Sequence, residues 1–214
     1  MEITWLGHSC FRLRGKDVTI ITDPYTKDIG HSLGRPQADI VTVSHDHFDH
    51  NNARGVTGDP KVLKGPGEYE IKNVFVKGVA TFHDLETGKS RGRNTVYSMT
   101  LDDVVLCHLG DLGHPLTQAQ AEEIEEVDVL MIPVGGVYTI NATQAAEVVS
   151  ILEPKIVIPM HYQTEVLTLK QPLDPVDRFL MEMGVKNVTP QPKLVIARGT
   201  LPEETQVVVL DYRR

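Results

Sequence analysis

Six consecutive residues concentrate the reactive chemistry of this chain: His45-Asp46-His47-Phe48-Asp49-His50. They follow the apolar run Ile40-Val41-Thr42-Val43-Ser44, which reads as a strand. In an extended segment, side chains two residues apart point the same way, so His45 and His47 can grip one ion. A tight turn after Phe48 would swing Asp49 and His50 toward a second ion. Imidazole combined with carboxylate suits Zn, Mn or Fe better than Ca or Mg. The bland alternative is a solvated polar loop, and the density of donors at the spacing H-x-H-x-D-H speaks against it.

One turn cannot close two coordination shells, so other donors must arrive from elsewhere. His83 follows the run Val74–Thr81, Asp111 follows Val104–Leu109, and His161 follows Ile156–Met160. Each run is apolar and strand-like, and strand ends along one sheet edge are where converging side chains build sites. Together these residues suffice for two divalent ions that share Asp111 and a water.

The elements that must position them are mostly strands. Glu2–Leu6, Cys10–Arg14, Val18–Thr22, Tyr97–Leu101, Val129–Pro133, Lys193–Ala197 and Val207–Leu210 add to the runs above. They are rich in Val, Ile and Thr and bounded by Gly, Pro, Asp and Asn. Asp102-Asp103 looks like a hairpin turn. Three helices have start signals: Thr117 with Gln120, Asn141 with Gln144, and Asp174-Pro175 as N-cap and first turn, with Gly184 as the stop. So many strands do not fit one sheet with helices on both sides. Two mixed β-sheets packed face to face, flanked by helices, fit better, and the class is α/β.

Residues 1–214 are long enough to form a single domain with its own core. The net charge of −8, from 21 basic and 29 acidic residues, disfavours nucleic acid and anionic membranes as partners. No apolar run reaches the length of a membrane span. The opening Glu2-Ile3-Thr4-Trp5 lacks the basic and apolar regions of a secretory leader, and Cys10 and Cys107 are too few for a disulfide framework. A cytoplasmic location is therefore expected. The partner is a small-molecule substrate, and a homo-oligomer stays open.

At this point the chain resembles a known family. Trp5-Leu6-Gly7-His8-Ser9, Thr22-Asp23-Pro24, the His45–His50 motif and Met160-His161-Tyr162 are similar to the metallo-β-lactamase superfamily of di-metal hydrolases. Gly65-Pro66-Gly67-Glu68-Tyr69-Glu70 and Pro133-Val134-Gly135-Gly136 resemble its small cytoplasmic branch, which includes ascorbate-6-phosphate lactonase-like proteins. The resemblance implies an αββα four-layer sandwich. It implies one metal on His45, His47 and His83, a second on Asp49, His50 and His161, and Asp111 as the bridge. Zn is the expected metal, with Mn or Fe as alternatives. A hydroxide held between the two ions would attack a lactone, carboxylic ester or phosphoester. Asp49 would serve as ligand and as the acceptor that orients this hydroxide. Diiron relatives tend to carry Glu where this chain has His47, and they add a flavodoxin domain; this chain favours hydrolysis. The alternatives are a nuclease or phosphodiesterase of the same superfamily and a non-catalytic metal-binding protein.

Other residues carry rival readings. His8 is a catalytic candidate at the pocket floor, or a hydrogen-bonded core histidine. His114 could reach substrate or a ligand, or could cap the Thr117 helix. His108 reads as a satisfied core histidine, and His31, in a Gly-rich loop, as surface. Asp84 sits beside His83 and could support it; Asp23 could orient a ligand histidine or simply form a turn. Arg91, Arg93 and Asn94 lie in a loop that could hold a phosphate or carboxylate, although a solvated hairpin tip is preferred. Tyr138 and Tyr162 are candidate pocket hydroxyls. Cys10 and Cys107 read as core residues, and Glu122 to Glu126 as the wet face of a helix.

Overall fold

Ile40-Val41-Thr42-Val43 offers no polar face, and such a run is stable as a strand only when both of its sides are covered. All four residues are buried in the structure, a computed structural model that describes residues 1–186 and 188–212. Nine strands precede the first α-helix. They begin with β1 (Glu2–Gly7), β2 (Cys10–Arg14), β3 (Thr19–Thr22), β4 (Ile40–Val43) and β5 (Lys61–Lys64). β6 (Gly67–Ile71), β7 (Val74–Phe82), β8 (Arg93–Leu101) and β9 (Val104–His108) follow. Then helices and strands alternate: α1 (Gln118–Ile124), β10 (Val129–Pro133), α2 (Ala142–Leu152), β11 (Ile156–Met160), α3 (Val176–Glu182), β12 (Leu194–Val195) and β13 (Gln206–Val207).

Two mixed sheets result. The first has the order β12-β1-β2-β3-β4-β5, and the second β13-β11-β10-β9-β8-β7-β6. β3, β4 and β5 run parallel, as do β9, β10, β11 and β13; the remaining pairs are antiparallel. The alternation of side chains splits each strand of the first sheet between two apolar clusters. Ile20 and Ile40 join Trp5, Phe11 and the second sheet, while Ile21, Val41 and Val43 face Tyr25, Ile29, Leu167 and Leu173 on the other side. Helices α1 and α2 cover the outer side of the second sheet against β7 and β10, and α3 packs on α2. On the first sheet, the outer layer includes the 3₁₀ turns Lys27–Ile29 and Ala53–Gly55 and the loop carrying Leu167 and Leu173. Among the described residues, no helix is long and apolar enough to cross a membrane.

The expected elements are present with three adjustments. β5 and β6 were not foreseen: KVLK is charged at both ends and GEYEI at alternate positions, because both are edge strands that expose much of their length. β8 begins at Arg93 rather than Tyr97, which draws Asn94 out of the predicted loop and buries it. In α3 the N-cap is Pro175 rather than Asp174, whose carboxylate pairs with Arg178 at 2.7 Å instead of capping. Both Asp102 and Asp103 take positive φ in the expected hairpin.

One polar contact pins the sheets together beside the His45–His50 segment. Tyr97 of β8 is fully buried, and its hydroxyl lies 3.2 Å from the carbonyl of Val43 and 3.3 Å from that of Leu63, in β4 and β5. Tyr97→Phe should destabilise the fold by about 1 kcal/mol, because it removes a buried donor and orphans its acceptors. Urea unfolding checks this, and an unchanged midpoint would show that the hydroxyl contributes nothing.

Candidate metal centre

Five strand ends meet at one edge of the two sheets, and each delivers a histidine or a carboxylate. β4 runs into Ser44–His50, β1 into His8, β7 into His83, β9 into Asp111 and β11 into His161. Backbone hydrogen bonds lock these ends. His161 N donates to the carbonyl of His8 at 3.1 Å, Thr95 N to that of Ser44 at 2.9 Å, and Gly113 N to that of Phe82 at 2.9 Å. Gly110 precedes the central aspartate with φ +56°, and a Cβ there would lie 2.5 Å from both Asn94 Oδ1 and Ser44 Cβ. Only glycine allows that approach. His8, Asp23 and His161 also hold positive φ, strained for non-glycine residues and maintained by the packing around them.

Asp111 lies at the middle of the cluster. Its Oδ2 is 3.2 Å from Nε2 of His83, 3.2 Å from Nε2 of His161, 3.3 Å from Nε2 of His50 and 3.8 Å from Nε2 of His45. Asn94 Oδ1 accepts the backbone N–H of Asp111 at 3.0 Å and so fixes where the carboxylate starts. Two groups of nitrogens, each mutually within 4.8 Å, flank this oxygen: His45, His47 and His83 on one side, and His8, His50 and His161 on the other. Asp49 Oδ2 lies 3.3 Å from His8 Nε2 and 3.7 Å from His50 Nε2.

Asp23 orients one histidine of each group. Its Oδ2 lies 3.0 Å from His50 Nδ1 and accepts the Ser44 hydroxyl at 2.5 Å, while its Oδ1 accepts the Ser44 N–H at 2.7 Å. The Ser44 hydroxyl, having spent its proton on Asp23, can accept from His45 Nδ1 at 2.9 Å. Both imidazoles thereby present Nδ1 to an oxygen acceptor and turn Nε2 to the centre, where a ligating ion would take the place of any proton.

The electrostatics match. Burial holds His45 well below the usual imidazole range, takes His83 down to about 4 and takes His8 down to about 3. These histidines are neutral at physiological pH, the form that can ligate a cation. At His50 burial acts in the same direction but is outweighed by Asp111, Asp23 and Asp49, which push it up. At Asp111 burial would raise the carboxyl, and the imidazoles of His161 and His50 outweigh it, so the group stays well below the carboxylate range. Buried His45 Nε2, His50 Nε2, Asp111 Oδ1 and the Nδ1 atoms of His8, His83 and His161 have no hydrogen-bond partner among the described residues. Leaving such atoms unsatisfied is costly, and the Nε2 atoms of His45, His50, His83 and His161 gathered around the Asp111 carboxylate are the kind of donors a divalent transition-metal ion requires. The donor set fits a metal.

All seven sequence-assigned ligands, His45, His47, Asp49, His50, His83, Asp111 and His161, lie together here. His8 joins them more intimately than expected, with its ring 4.2 Å from that of His161. His114 does not join them. Its Nε2 accepts the N–H of Phe82 at 3.1 Å and its Nδ1 faces the carbonyl of Pro115 at 2.7 Å, so both nitrogens are spent on backbone. His108 is a satisfied core residue, as anticipated, between Ser9 O and Gly110 N. His31 is buried rather than on the surface, edge-on to Tyr212 and 3.0 Å from Thr164 Oγ1. Tyr162 packs on Trp5 in the core, whereas Tyr138 lines the cleft. Sequence reading did not reveal the role of Asn94 or the Ser44 relay; no spacing signal marks either.

A cleft of about 520 Å³ opens onto His47, Asp49, His83 and Asp111, with Phe48 and Tyr138 on its walls. Its rim includes the loop after His83. Asp84 does not support His83; its carboxylate accepts the backbone N–H groups of Glu86, Gly88, Ser90 and Arg91 at 2.6–3.0 Å.

Comparison with known proteins agrees with this geometry. Residues 2–161 match a family model described as a beta-lactamase superfamily domain. A UPF0173 metal-dependent hydrolase of Pyrococcus horikoshii is 29% identical over 196 residues, covering 77% of this chain and 85% of that protein. Another from Archaeoglobus fulgidus is 28% identical and covers 81% and 88%. Among solved structures, a candidate Zn-dependent hydrolase of the metallo-beta-lactamase superfamily from Thermotoga maritima superposes with a TM-score of 0.83, at 41% identity and 99% coverage of both chains. These likenesses reach as far as metal-dependent hydrolases and do not single out the lactonase-like branch.

Two outcomes follow from the geometry. Asp23→Asn should weaken metal affinity about 10- to 100-fold while the chain stays folded, since it upsets one orienting contact in each histidine group. Competition against a chromophoric chelator measures it, and unchanged affinity would exclude the orienting role. The amides of Arg91 and its N–H neighbours on Asp84 pull that carboxyl from 3.8 down to about 2. A depressed carboxyl contributes stability that is present above its ordinary pKa and lost as the pH falls through its folded value. Exchange protection of the Gly88, Ser90 and Arg91 amides should therefore decline between pH 4 and pH 2, and in Asp84→Asn it should be low at either pH.

Proposed function

The chain belongs to the metallo-β-lactamase superfamily and is a metal-dependent hydrolase, and from that premise we propose that it holds two divalent ions and cleaves a small ester-like substrate: a lactone, a carboxylic ester or a phosphoester. The observation that carries this reading is the single carboxylate oxygen of Asp111 standing among four imidazoles, with a cluster of three histidine nitrogens on either side. His45, His47 and His83 would hold one ion. His50, His161 and Asp49 would hold the other, with Asp111 between them. His8 completes the second group and, through Nε2, orients Asp49. The abundance of imidazole suits Zn, the metal ascribed to the Thermotoga maritima relative, and Mn or Fe would also be accepted.

Bound ions would supply a water acidified to about neutral pH and would polarise the scissile carbonyl or phosphoryl oxygen. The chain's own groups do the rest. Asp49 lines the cleft, and although burial would raise its carboxyl, His8 and His50 hold it low. It is thus an ionised carboxylate placed to accept a hydrogen bond from the attacking water and to aim it. Phe48, Tyr138 and Leu169 wall the cleft and exclude solvent from an acyl or alkyl portion. A cytoplasmic setting accords with Cys10 and Cys107, both buried and unpaired.

Protein purified from metal-replete cells should carry about two ions per chain by elemental analysis. Chelation should abolish ester hydrolysis, and adding Zn, Mn or Fe should restore it. His47→Ala and His161→Ala should each lose metal and activity together. A stoichiometry near zero, or a chelated protein that turns over as before, would defeat the proposal.

A further inference from the structure

The charge at the mouth of the cleft departs from that of the rest of the chain. Acidic residues outnumber basic ones 29 to 21, yet Arg91 and Lys170 line the cleft over the histidine cluster. Arg91 also lines an adjoining cavity of about 500 Å³, together with Lys64 and Arg93. Lys64 is spent on Asp46 at 2.8 Å. Arg91, Arg93 and Lys170 have no carboxylate within ion-pair distance among the described residues.

Arg91 is also held in place, which a solvated hairpin tip would not need. Its own N–H donates to Asp84 at 2.6 Å, within the four-amide cradle that shapes the loop. Its guanidinium stacks over the Tyr138 ring with 5.5 Å to the centroid, and Nη2 donates to the carbonyl of Val137 at 3.4 Å. Tyr138 is itself tied to the facing loop, since its hydroxyl accepts the N–H of Gln171 at 3.1 Å. A planar cation fixed over an aromatic ring, with most of its N–H donors unspent, is arranged to receive a carboxylate or phosphate in a forked contact.

We propose that Arg91, assisted by Lys170, selects substrates that carry an anionic group, carboxylate or phosphate, beside the bond cleaved at the metal cluster. This deepens the hydrolase reading and rests on it. Arg91 is a specificity residue: it grips the part of the substrate that does not react, so its contribution falls mainly on KM.

Three 4-nitrophenyl esters of matched length test it: the neutral butyrate, the succinate half-ester and the 3-phosphonopropionate. The wild-type, metal-loaded enzyme should prefer one or both anionic esters in kcat/KM by about tenfold or more, as a charge-assisted contact implies. The better of the two identifies the anion. In R91Q the preference should collapse to within about twofold through KM, at unchanged metal content, and R91K should retain part of it. A preference for butyrate in the wild type, or an R91Q enzyme that keeps the anionic preference, overturns the proposal while leaving the hydrolase reading intact. If the loaded enzyme cleaves none of the esters, the ester-hydrolysis reading fails separately, and calorimetric titration with succinate and 3-phosphonopropionate decides the Arg91 assignment. Binding to R91Q weaker by about tenfold supports the assignment, and equal binding to both proteins overturns it.

Discussion

A buried carboxylate oxygen surrounded by imidazoles is the constraint on which this molecule is organised. Asp111 Oδ2 lies within 3.8 Å of four ring nitrogens from three other strand ends, all from buried residues at the floor of the cleft. Polar groups of that density are costly to bury unless something satisfies them. The carboxylate and His50 partly satisfy each other, and the neutral histidines, held so by burial, are left with lone pairs to offer a cation. The price of the arrangement is visible in the backbone, where His8, Asp23 and His161 adopt left-handed conformations at the ends of otherwise regular strands.

Control of that cluster lies one contact further out. Asp23 is fully buried and reaches both metal-facing groups, His50 directly and His45 through the Ser44 hydroxyl. Because one carboxylate orients both rings, the two histidine groups are coupled through the protein as well as through Asp111. Asn94 plays the corresponding part for Asp111: it receives the aspartate's N–H and donates to Leu109 O and Thr81 Oγ1, joining the ends of β7, β8 and β9. The sheets, clamped by Tyr97, supply the rigid platform that such distances need.

The rim obeys different rules. It is made of loops, and its residues are exposed, charged or aromatic. The loop after His83 is nonetheless ordered, because Asp84 gathers four of its amides and Tyr138 holds the guanidinium of Arg91. The histidine cluster thus resides on strand ends and its rim on loops, an arrangement in which loops can change without disturbing the cluster and one fold can accommodate many substrates.

By itself the sequence determined the metal chemistry and the layer architecture. His45 to His50 pack so many ligand atoms behind an apolar strand that the chemistry is readable from spacing, and His83, Asp111 and His161 are each marked by an apolar run before them. Capping at Thr117 and Asn141 is equally local, since each side chain bonds an amide three residues on. What only the tertiary structure decided involves partners far apart in the chain: His8 against His161, Asp23 against Ser44 and His50, Arg91 over Tyr138. The edge strands β5 and β6 belong here as well, because a strand exposed along much of its length leaves a weak apolar pattern. His114 and His31 show the same limit from the other side. A histidine's role depends on what its two ring nitrogens meet, and for these two the answer came from backbone and side chains up to 133 residues distant.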